Sequence, residues 1–239
     1  MSKKLSLPRT LTTTEFRAGL IYFVVHVFAL PWLLSLIWGM LDISGIYIST
    51  ITINAIYQFI GIGAILMILR KYLVENFERF ISWLPINLVV IVAGFFIYYA
   101  VYIIFANIIY AIAGGELSNP NSEFVTAMTK SDLYSSIALT VLLAPIVEEC
   151  LYRGVLFNGI GAKSRFWGYL VSMVLFAFSH VFHSMVTSFD PSLFLTMLIY
   201  MPAGYVLARA YEKSGTIWCP IFIHIALNLT AQLISYYYT

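Results

Sequence analysis

The stretch Val-Glu-Glu-Cys-Leu-Tyr-Arg-Gly-Val-Leu-Phe (VEECLYRGVLF, residues 147–157) places two glutamates and an arginine inside an apolar run. Of the 239 residues, 61% are hydrophobic and 10% are charged, whereas about 25% of the residues of a soluble domain are charged. This composition places the chain among membrane proteins. Charged side chains inside a membrane helix are costly and usually mark function, so those of residues 147–157 need an explanation.

Seven apolar stretches of roughly 20 residues predict seven membrane-spanning helices. They lie at about 18–41, 47–69, 86–112, 133–157, 166–186, 191–211 and 217–238. We therefore expect an all-α, polytopic membrane helical bundle that forms a single integral membrane domain over residues 1–239. Charged and apolar residues alternate at helical spacing over 71–84, which predicts a separate amphipathic helix in the membrane interface. Residues 113–132, which include Gly, Pro, Asn and Ser, predict a long outer loop.

Basic residues outside the predicted spans fall on one side of the membrane, except for Lys130 in the predicted outer loop. Lys3, Lys4, Arg9 and Arg17 precede the first span, and further Lys and Arg residues follow the second, fourth and sixth. The positive-inside rule then places the N-terminus in the cytoplasm and the C-terminus outside. The first span is too long for a signal-peptide core and predicts an uncleaved signal anchor. A net charge of only +2 gives no indication of nucleic-acid binding.

Three predicted helices carry two notable residues one helical turn apart. These pairs are Glu149 with Arg153, Phe176 with His180, and His224 with Asn228. Residues four apart share a helix face, so Glu149 and Arg153 can form an ion pair. Glu148 is turned about 100° from Glu149 and is left free. With helix tilt, one water-filled cavity opening toward the cytoplasm could hold Glu148, His180 and His224.

The polar residues also permit simpler explanations. The Glu149–Arg153 pair alone could equally well lock its helix to a neighbour. His26 is best explained as a core histidine with satisfied hydrogen bonds. Interhelical hydrogen bonding is the expectation for lone amides in the spans such as Asn54, Gln58 and Asn107. A proton-coupled carrier is disfavoured because no paired repeat, as transporters often show, is evident.

The motifs occur in the order Glu-Glu-x-x-x-Arg (148–153), Phe-x-x-x-His (176–180) and His-x-x-x-Asn (224–228). On successive predicted helices, over about residues 133–238, they resemble the CAAX-protease and bacteriocin-processing (abortive-infection) family of intramembrane proteases. The resemblance implies that Glu148 and His180 activate a water molecule and that His224 and Asn228 bind the developing oxyanion. It also implies supporting roles for Glu149, Arg153 and Phe176.

Two mechanisms remain open at this stage. Glu148, His180 and His224 form a His₂Glu set of the kind that binds catalytic zinc, which would make the protein a metalloprotease. A metal-free reaction needs only a base for water and donors for the oxyanion.

The expected substrate is a membrane-embedded or lipid-anchored peptide or protein in a bacterial cell membrane. Bacteriocin or pheromone processing, self-immunity and control of surface signalling are the expected roles. The alternative is a non-catalytic membrane regulator or immunity protein that binds a membrane partner such as a sensor kinase.

Overall fold

The computed structural model describes residues 10–238, and all regular secondary structure within them is helical. Seven of these helices are long and apolar enough to cross a membrane, which confirms the predicted number of spans. The helices are α1 (Thr13–Ile43), α2 (Thr50–Ser82), α3 (Leu84–Ile112), the short α4 (Pro120–Ser131), α5 (Leu133–Gly161), α6 (Arg165–Thr187), α7 (Leu193–Ser214) and α8 (Trp218–Tyr238). Lys3, Lys4 and Arg9, on which part of the predicted orientation rests, lie outside the described residues.

The prediction of a separate amphipathic helix over 71–84 is wrong. Residues 50–82 form the single helix α2 of 33 residues, which is about 50 Å long at 1.5 Å per residue and exceeds the roughly 30 Å of a hydrocarbon core. One face of its second half is buried against the start of α8. Trp218 Nε1 donates to the Leu73 carbonyl at 3.3 Å, and the Ile217 backbone N–H donates to Asn76 Oδ1 at 3.0 Å. These contacts draw the segment into the bundle.

The predicted loop over 113–132 is wrong for its second half, which forms α4. Asn119 caps this helix by accepting a hydrogen bond from the Ser122 backbone N–H at 3.1 Å, and Pro120 occupies the first turn. Both residue types favour the start of a helix. Thr126 and Ser235 share a 2.7 Å hydrogen bond between their hydroxyls, so α4 packs against the end of α8.

Helix α5 is the central helix, in contact with α1, α2, α6, α7 and α8. It is irregular: π-helical stretches at Ile137–Leu143 and Cys150–Phe157 flank a short α-helical segment, Ala144–Glu149. Pro145 accounts in part for the first irregularity, because proline has no N–H to donate to the carbonyl one turn earlier. Single π-helical turns within α-helices are frequent at functional sites. The two glutamates lie between these stretches.

Helices α6 and α7 cross closely at Gly204. A Cβ atom built at this position would lie 3.0 Å from Met173 Cγ and 3.1 Å from Met173 Cα. Glycine therefore permits the close approach of the two backbones, as small residues commonly do between membrane helices. The crossing also brings the Gly204 carbonyl to the side chains of α5.

Candidate active site

Glu149 is the centre of a buried hydrogen-bonded group. Its Oε1 accepts a hydrogen bond from Arg153 Nη1 at 2.8 Å and another from His224 Nδ1 at 2.8 Å. The side chains of Glu149 and Arg153 are fully buried. The ion pair predicted from their four-residue spacing is confirmed, and His224 joins it from α8.

Arg153 ties α5 to two further helices. Its Nη2 donates to the Gly204 carbonyl of α7 at 3.0 Å. Its guanidinium carbon lies 4.5 Å from the centre of the Phe176 ring on α6, within the range of a cation–π contact. A buried guanidinium requires such partners, because an unpaired charge away from water is very costly. The motif residues Arg153, Glu149 and Phe176 thus fix the relative positions of three helices.

Glu148 has a different environment from its neighbour. Its side chain is 28% exposed, and its Oε2 accepts no hydrogen bond from any residue within 10–238. The nearest charged partner is His224, whose Nε2 lies 3.8 Å from Glu148 Oε2, beyond hydrogen-bonding distance. The helical phase therefore separates the two acids as the sequence predicts.

His180 is held by its own helix and by an aromatic neighbour. Its Nδ1 lies 2.8 Å from the Phe176 carbonyl oxygen. Because a carbonyl can only accept, Nδ1 carries a proton, and Nε2 of the neutral ring keeps its lone pair. The ring stacks on Tyr200 of α7 with centroids 4.3 Å apart. Tyr200 in turn donates a hydrogen bond to Asn119 Oδ1 at 2.7 Å.

The side-chain amide of Asn228 uses only one of its two N–H groups within the described part of the protein. Its Nδ2 donates to the Thr140 carbonyl of α5 at 2.9 Å. An amide nitrogen has two hydrogens, so one N–H remains for a ligand.

A single cavity of about 410 Å³ brings the predicted catalytic residues together, since Glu148, His180, His224 and Asn228 all line it. It is also lined by Asn119, by Asn121, Ser122 and Phe124–Thr126 of α4, and by Ser235 near the end of α8. The cavity thus extends toward α4 and not, as the sequence predicted, toward the basic connections. On the cytoplasmic side of the predicted orientation the buried residues Thr216 and Ile217 fill the bundle.

The other polar residues are sorted by their contacts. His26 is 3% exposed, its Nδ1 lies 3.1 Å from the Tyr22 hydroxyl and its ring stacks on Tyr57, so the expectation of a satisfied core histidine is confirmed. The expectation of interhelical hydrogen bonds is wrong for the three amides. Asn107 donates to the Ile103 carbonyl of its own helix, while Asn54 Oδ1 and Gln58 Oε1 have no partner among the described residues.

The predicted zinc ligands do not converge. Within residues 10–238 no three His, Cys, Asp or Glu side chains are grouped so that they could hold a metal ion. Glu148 and His224 approach each other, while His180 is hydrogen-bonded to the Phe176 carbonyl and stacked on the Tyr200 ring. The arrangement present does not fit the His₂Glu set that the sequence suggested.

Sequence reasoning missed three residues that support the site. Thr140, Tyr200 and Gly204 hold Asn228, His180 and Arg153, respectively. Two of these contacts use backbone carbonyls, which no side-chain pattern reveals. The small residue Gly204, two positions after Pro202 in a predicted span, was the one available signal.

Comparison with known proteins identifies similar membrane-protein sequences. Residues 130–230 match the sequence model of the family described as "Type II CAAX prenyl endopeptidase Rce1-like". A protein of Bacillus subtilis named "Putative membrane peptidase YdiL" is 27% identical over 138 residues, which cover 57% of this chain and 52% of that protein. The "UPF0177 protein YvdC" of Lactococcus lactis is 24% identical over 174 residues, covering 72% of this chain and 63% of that protein.

The matched regions therefore span about half to three-fifths of the length of these relatives. No solved structure matches the chain. The motifs at 148–153, 176–180 and 224–228 all lie within the matched region. The chain is a multi-pass membrane protein whose residues 130–230 are similar to the Rce1-like family of type II CAAX prenyl endopeptidases.

Proposed function

We propose that the protein is an intramembrane endopeptidase that hydrolyses a peptide bond of a membrane-embedded or lipid-anchored substrate. The observation that carries this proposal is the contrast between the two acids. Glu149 is fully buried and ion-paired through Oε1 with Arg153 and His224, whereas the 28% exposed side chain of Glu148 lines the cavity and its Oε2 accepts no hydrogen bond from the described residues. A carboxylate that is free of partners can accept a proton from water.

Glu148 and His180 activate the water molecule in this proposal. The water binds between the Glu148 carboxylate and His180 Nε2, the ring atom that the Phe176 carbonyl leaves without a proton. Glu148 takes a proton from the water as its oxygen attacks the carbonyl carbon of the substrate. The Tyr200 ring keeps the imidazole of His180 in place during this step.

His224 and Asn228 then stabilise the oxyanion that forms. In this proposal His224 acts as an imidazolium: its Nδ1–H donates to the Glu149 carboxylate and its Nε2–H donates to the oxyanion in the cavity. Asn228 offers its remaining N–H. The carbon–nitrogen bond breaks when Glu148 returns its proton to the leaving nitrogen. The products are a new carboxyl terminus and a new amine, and the Glu148 carboxylate is regenerated.

The proposed reaction uses side chains alone. Glu148, His180 and His224 do not converge on one point. Two donors aimed at an oxyanion in a site shielded from water can lower the barrier by several kcal/mol, at about 3 kcal/mol for each donor.

We place the substrate class and setting within the same proposal. The family description names prenylated CAAX substrates, and the two relatives come from bacteria. A lipid-anchored or membrane-embedded peptide of a bacterial cell membrane is therefore the proposed substrate. Processing of a bacteriocin or pheromone, self-immunity, or control of a surface-signalling system is the proposed role. The N-terminus is proposed to be cytoplasmic and the C-terminus outside.

Membrane peptidomics tests this function in cells. Cells that express the wild-type protein should release peptide products that are absent with Glu148→Gln, while an Asn107→Leu variant, altered outside the cavity, should release them as the wild type does. Identical peptide profiles of the wild-type and Glu148→Gln cells, together with an unchanged cellular phenotype, would favour the non-catalytic regulator instead.

A further inference from the structure

Helix α2 contributes two unpartnered amide side chains to the wall of the cavity. Asn54 and Gln58 are four residues apart on one helix face, and both line the cavity that holds Glu148. Gln58 is only 6% exposed. The side-chain oxygens of both residues are buried and accept no hydrogen bond from residues 10–238.

A structural amide in the same molecule has quite different contacts. Gln232 of α8 is also buried and lines the cavity; its Oε1 accepts no hydrogen bond from the described residues, but its Nε2 lies 2.6 to 3.1 Å from the hydroxyls of Thr129, Ser136 and Thr140. Buried amides that only join helices are expected to be bonded in this way. No such hydrogen bond joins Asn54 or Gln58 to another described helix, so both side chains are available to a molecule that enters the cavity.

A peptide in an extended conformation is the ligand whose chemistry fits. Cleavage requires the substrate to be unwound at the scissile bond, so its backbone N–H and C=O groups lose their helical partners. Inside a membrane such groups must find others, because hydrocarbon provides none. A side-chain amide offers one acceptor and two donors and so complements a peptide group.

The position of the amide pair suits this task. Helix α2 packs against the segment of α5 that ends in Glu149. On that segment Thr140, Ala144 and Glu148 line the cavity at one-turn intervals, alongside Asn54 and Gln58. A strand lying in the cavity would therefore meet the amides of α2 and the acid of α5 together.

We propose that Asn54 and Gln58 form a subsite that binds the backbone of the extended substrate segment next to Glu148. This subsite rests on the proposed peptidase function and adds the residues that recognise the substrate backbone. The subsite provides hydrogen bonds to the substrate backbone that do not depend on the substrate's side chains. Other contacts in the cavity then determine which substrate sequences bind.

A binding experiment tests the subsite apart from catalysis. The full chain carrying Glu148→Gln is placed in lipid nanodiscs, so that bound peptide is not cleaved. The probe is a fluorescent, cysteine-farnesylated peptide, compared with the same peptide N-methylated at three successive central residues. Dissociation constants are measured by fluorescence anisotropy for the unaltered pocket, for Asn54→Leu, for Gln58→Met and for the control Asn107→Leu.

The unmodified peptide should bind about 10-fold more weakly to each cavity variant, as expected for a lost buried hydrogen bond. The N-methylated peptide, which cannot donate, should bind all four proteins with similar affinity. An equal loss for both peptides, unchanged affinities, or failure of the unaltered pocket to prefer the unmodified peptide would overturn the subsite. Thermal unfolding of each variant separates a binding defect from a folding defect.

The two proposals can fail separately. Cleavage by the wild-type protein without coupling between the amides and N-methylation would remove the subsite and leave the peptidase. If the amide substitutions weaken binding only of the unmethylated peptide and the wild-type protein cleaves nothing, the peptidase proposal is rejected. The cavity is then a peptide-binding site.

Discussion

Two buried polar regions of the molecule differ in how far their hydrogen bonds are satisfied. The tyrosine cluster (Tyr72, Asn158 and Tyr211) lies between α2, α5 and α7. The two tyrosine hydroxyls share a 2.8 Å hydrogen bond, and Asn158 Nδ2 donates to the Tyr211 hydroxyl at 2.7 Å. Both tyrosines are fully buried. The cavity, by contrast, contains unpartnered oxygens on Glu148 and on the amides of α2.

This difference separates stability from function. The tyrosine cluster joins three helices with groups that satisfy one another, so nothing is left for a ligand. The cavity keeps polar groups without partners, which lowers stability unless a ligand or water completes them. Buried polar residues alone do not identify an active site; buried polar residues with free hydrogen-bonding capacity are the stronger indicator.

The largest effect on stability is expected at Glu149. Glu149→Gln keeps the shape but leaves the buried Arg153 without its counter-charge. The free energy of unfolding should fall by about 3 kcal/mol or more, as for other broken buried ion pairs. Unfolding in mixed detergent micelles measures this change. Glu148→Gln is the matched control, one residue away, and should leave the unfolding free energy almost unaltered. Equal stability of the two variants would contradict the separation of the acids.

Asn228 should affect the rate rather than the fold. Asn228→Leu removes both the N–H offered to the oxyanion and the hydrogen bond to the Thr140 carbonyl. The cleavage rate should fall by about 100-fold, the usual result of losing an oxyanion donor. Single-turnover cleavage in proteoliposomes measures it. Asn107→Leu, which removes an amide bonded within its own helix, should cleave at the wild-type rate. A normal rate for Asn228→Leu would remove this residue from the proposed oxyanion site.

Tyr200 should act by positioning His180. Tyr200→Leu removes the ring on which His180 stacks and should slow cleavage by about 10-fold, because misplaced catalytic groups lose rate steeply. Tyr200→Phe keeps the ring and loses only the hydrogen bonds to Asn119 and Asn121. The Tyr200→Phe variant should therefore keep most of the wild-type cleavage rate. The pH–rate profile of each variant distinguishes a disturbed histidine from a general loss of structure; equal defects in the leucine and phenylalanine variants would argue against stacking as the cause.

The smallest effect is expected in the tyrosine cluster. Tyr211→Phe removes a hydroxyl that accepts from Asn158 and is bonded to Tyr72. The free energy of unfolding should fall by about 1 kcal/mol, while cleavage per folded molecule stays unchanged. Parallel unfolding and cleavage assays measure both quantities. A large loss of cleavage with normal stability would show that the two regions are coupled.

The number of spans and the local pairs could be predicted from the sequence because they depend on neighbours in the chain. Apolar length defines the seven helices, and the one-turn spacing of Glu149 and Arg153 predicts their ion pair. The partition of Glu148 from Glu149 follows from the same helical phase. All of these are properties of a single helix.

Properties that depend on packing between helices could not be predicted. His224 reaches Glu149 from 75 residues away, and Tyr200 reaches His180 from another helix with no periodic signal. The direction of the cavity depends on α4, whose Asn119–Pro120 start was hidden among loop-forming residues. The length of α2 depends on the burial of Asn76 against α8. The alternation of charged and apolar residues over 71–84 predicted an interfacial helix. That pattern carries no information about contacts with another helix.

The central claim is that Glu148, and not its neighbour, is the base that activates water. The most direct measurement is the single-turnover cleavage rate of Glu148→Gln in proteoliposomes, per folded molecule, relative to the wild type. The proposed mechanism predicts a rate at least about 100-fold lower, with unfolding unchanged. A variant that folds normally and cleaves at the wild-type rate would contradict it.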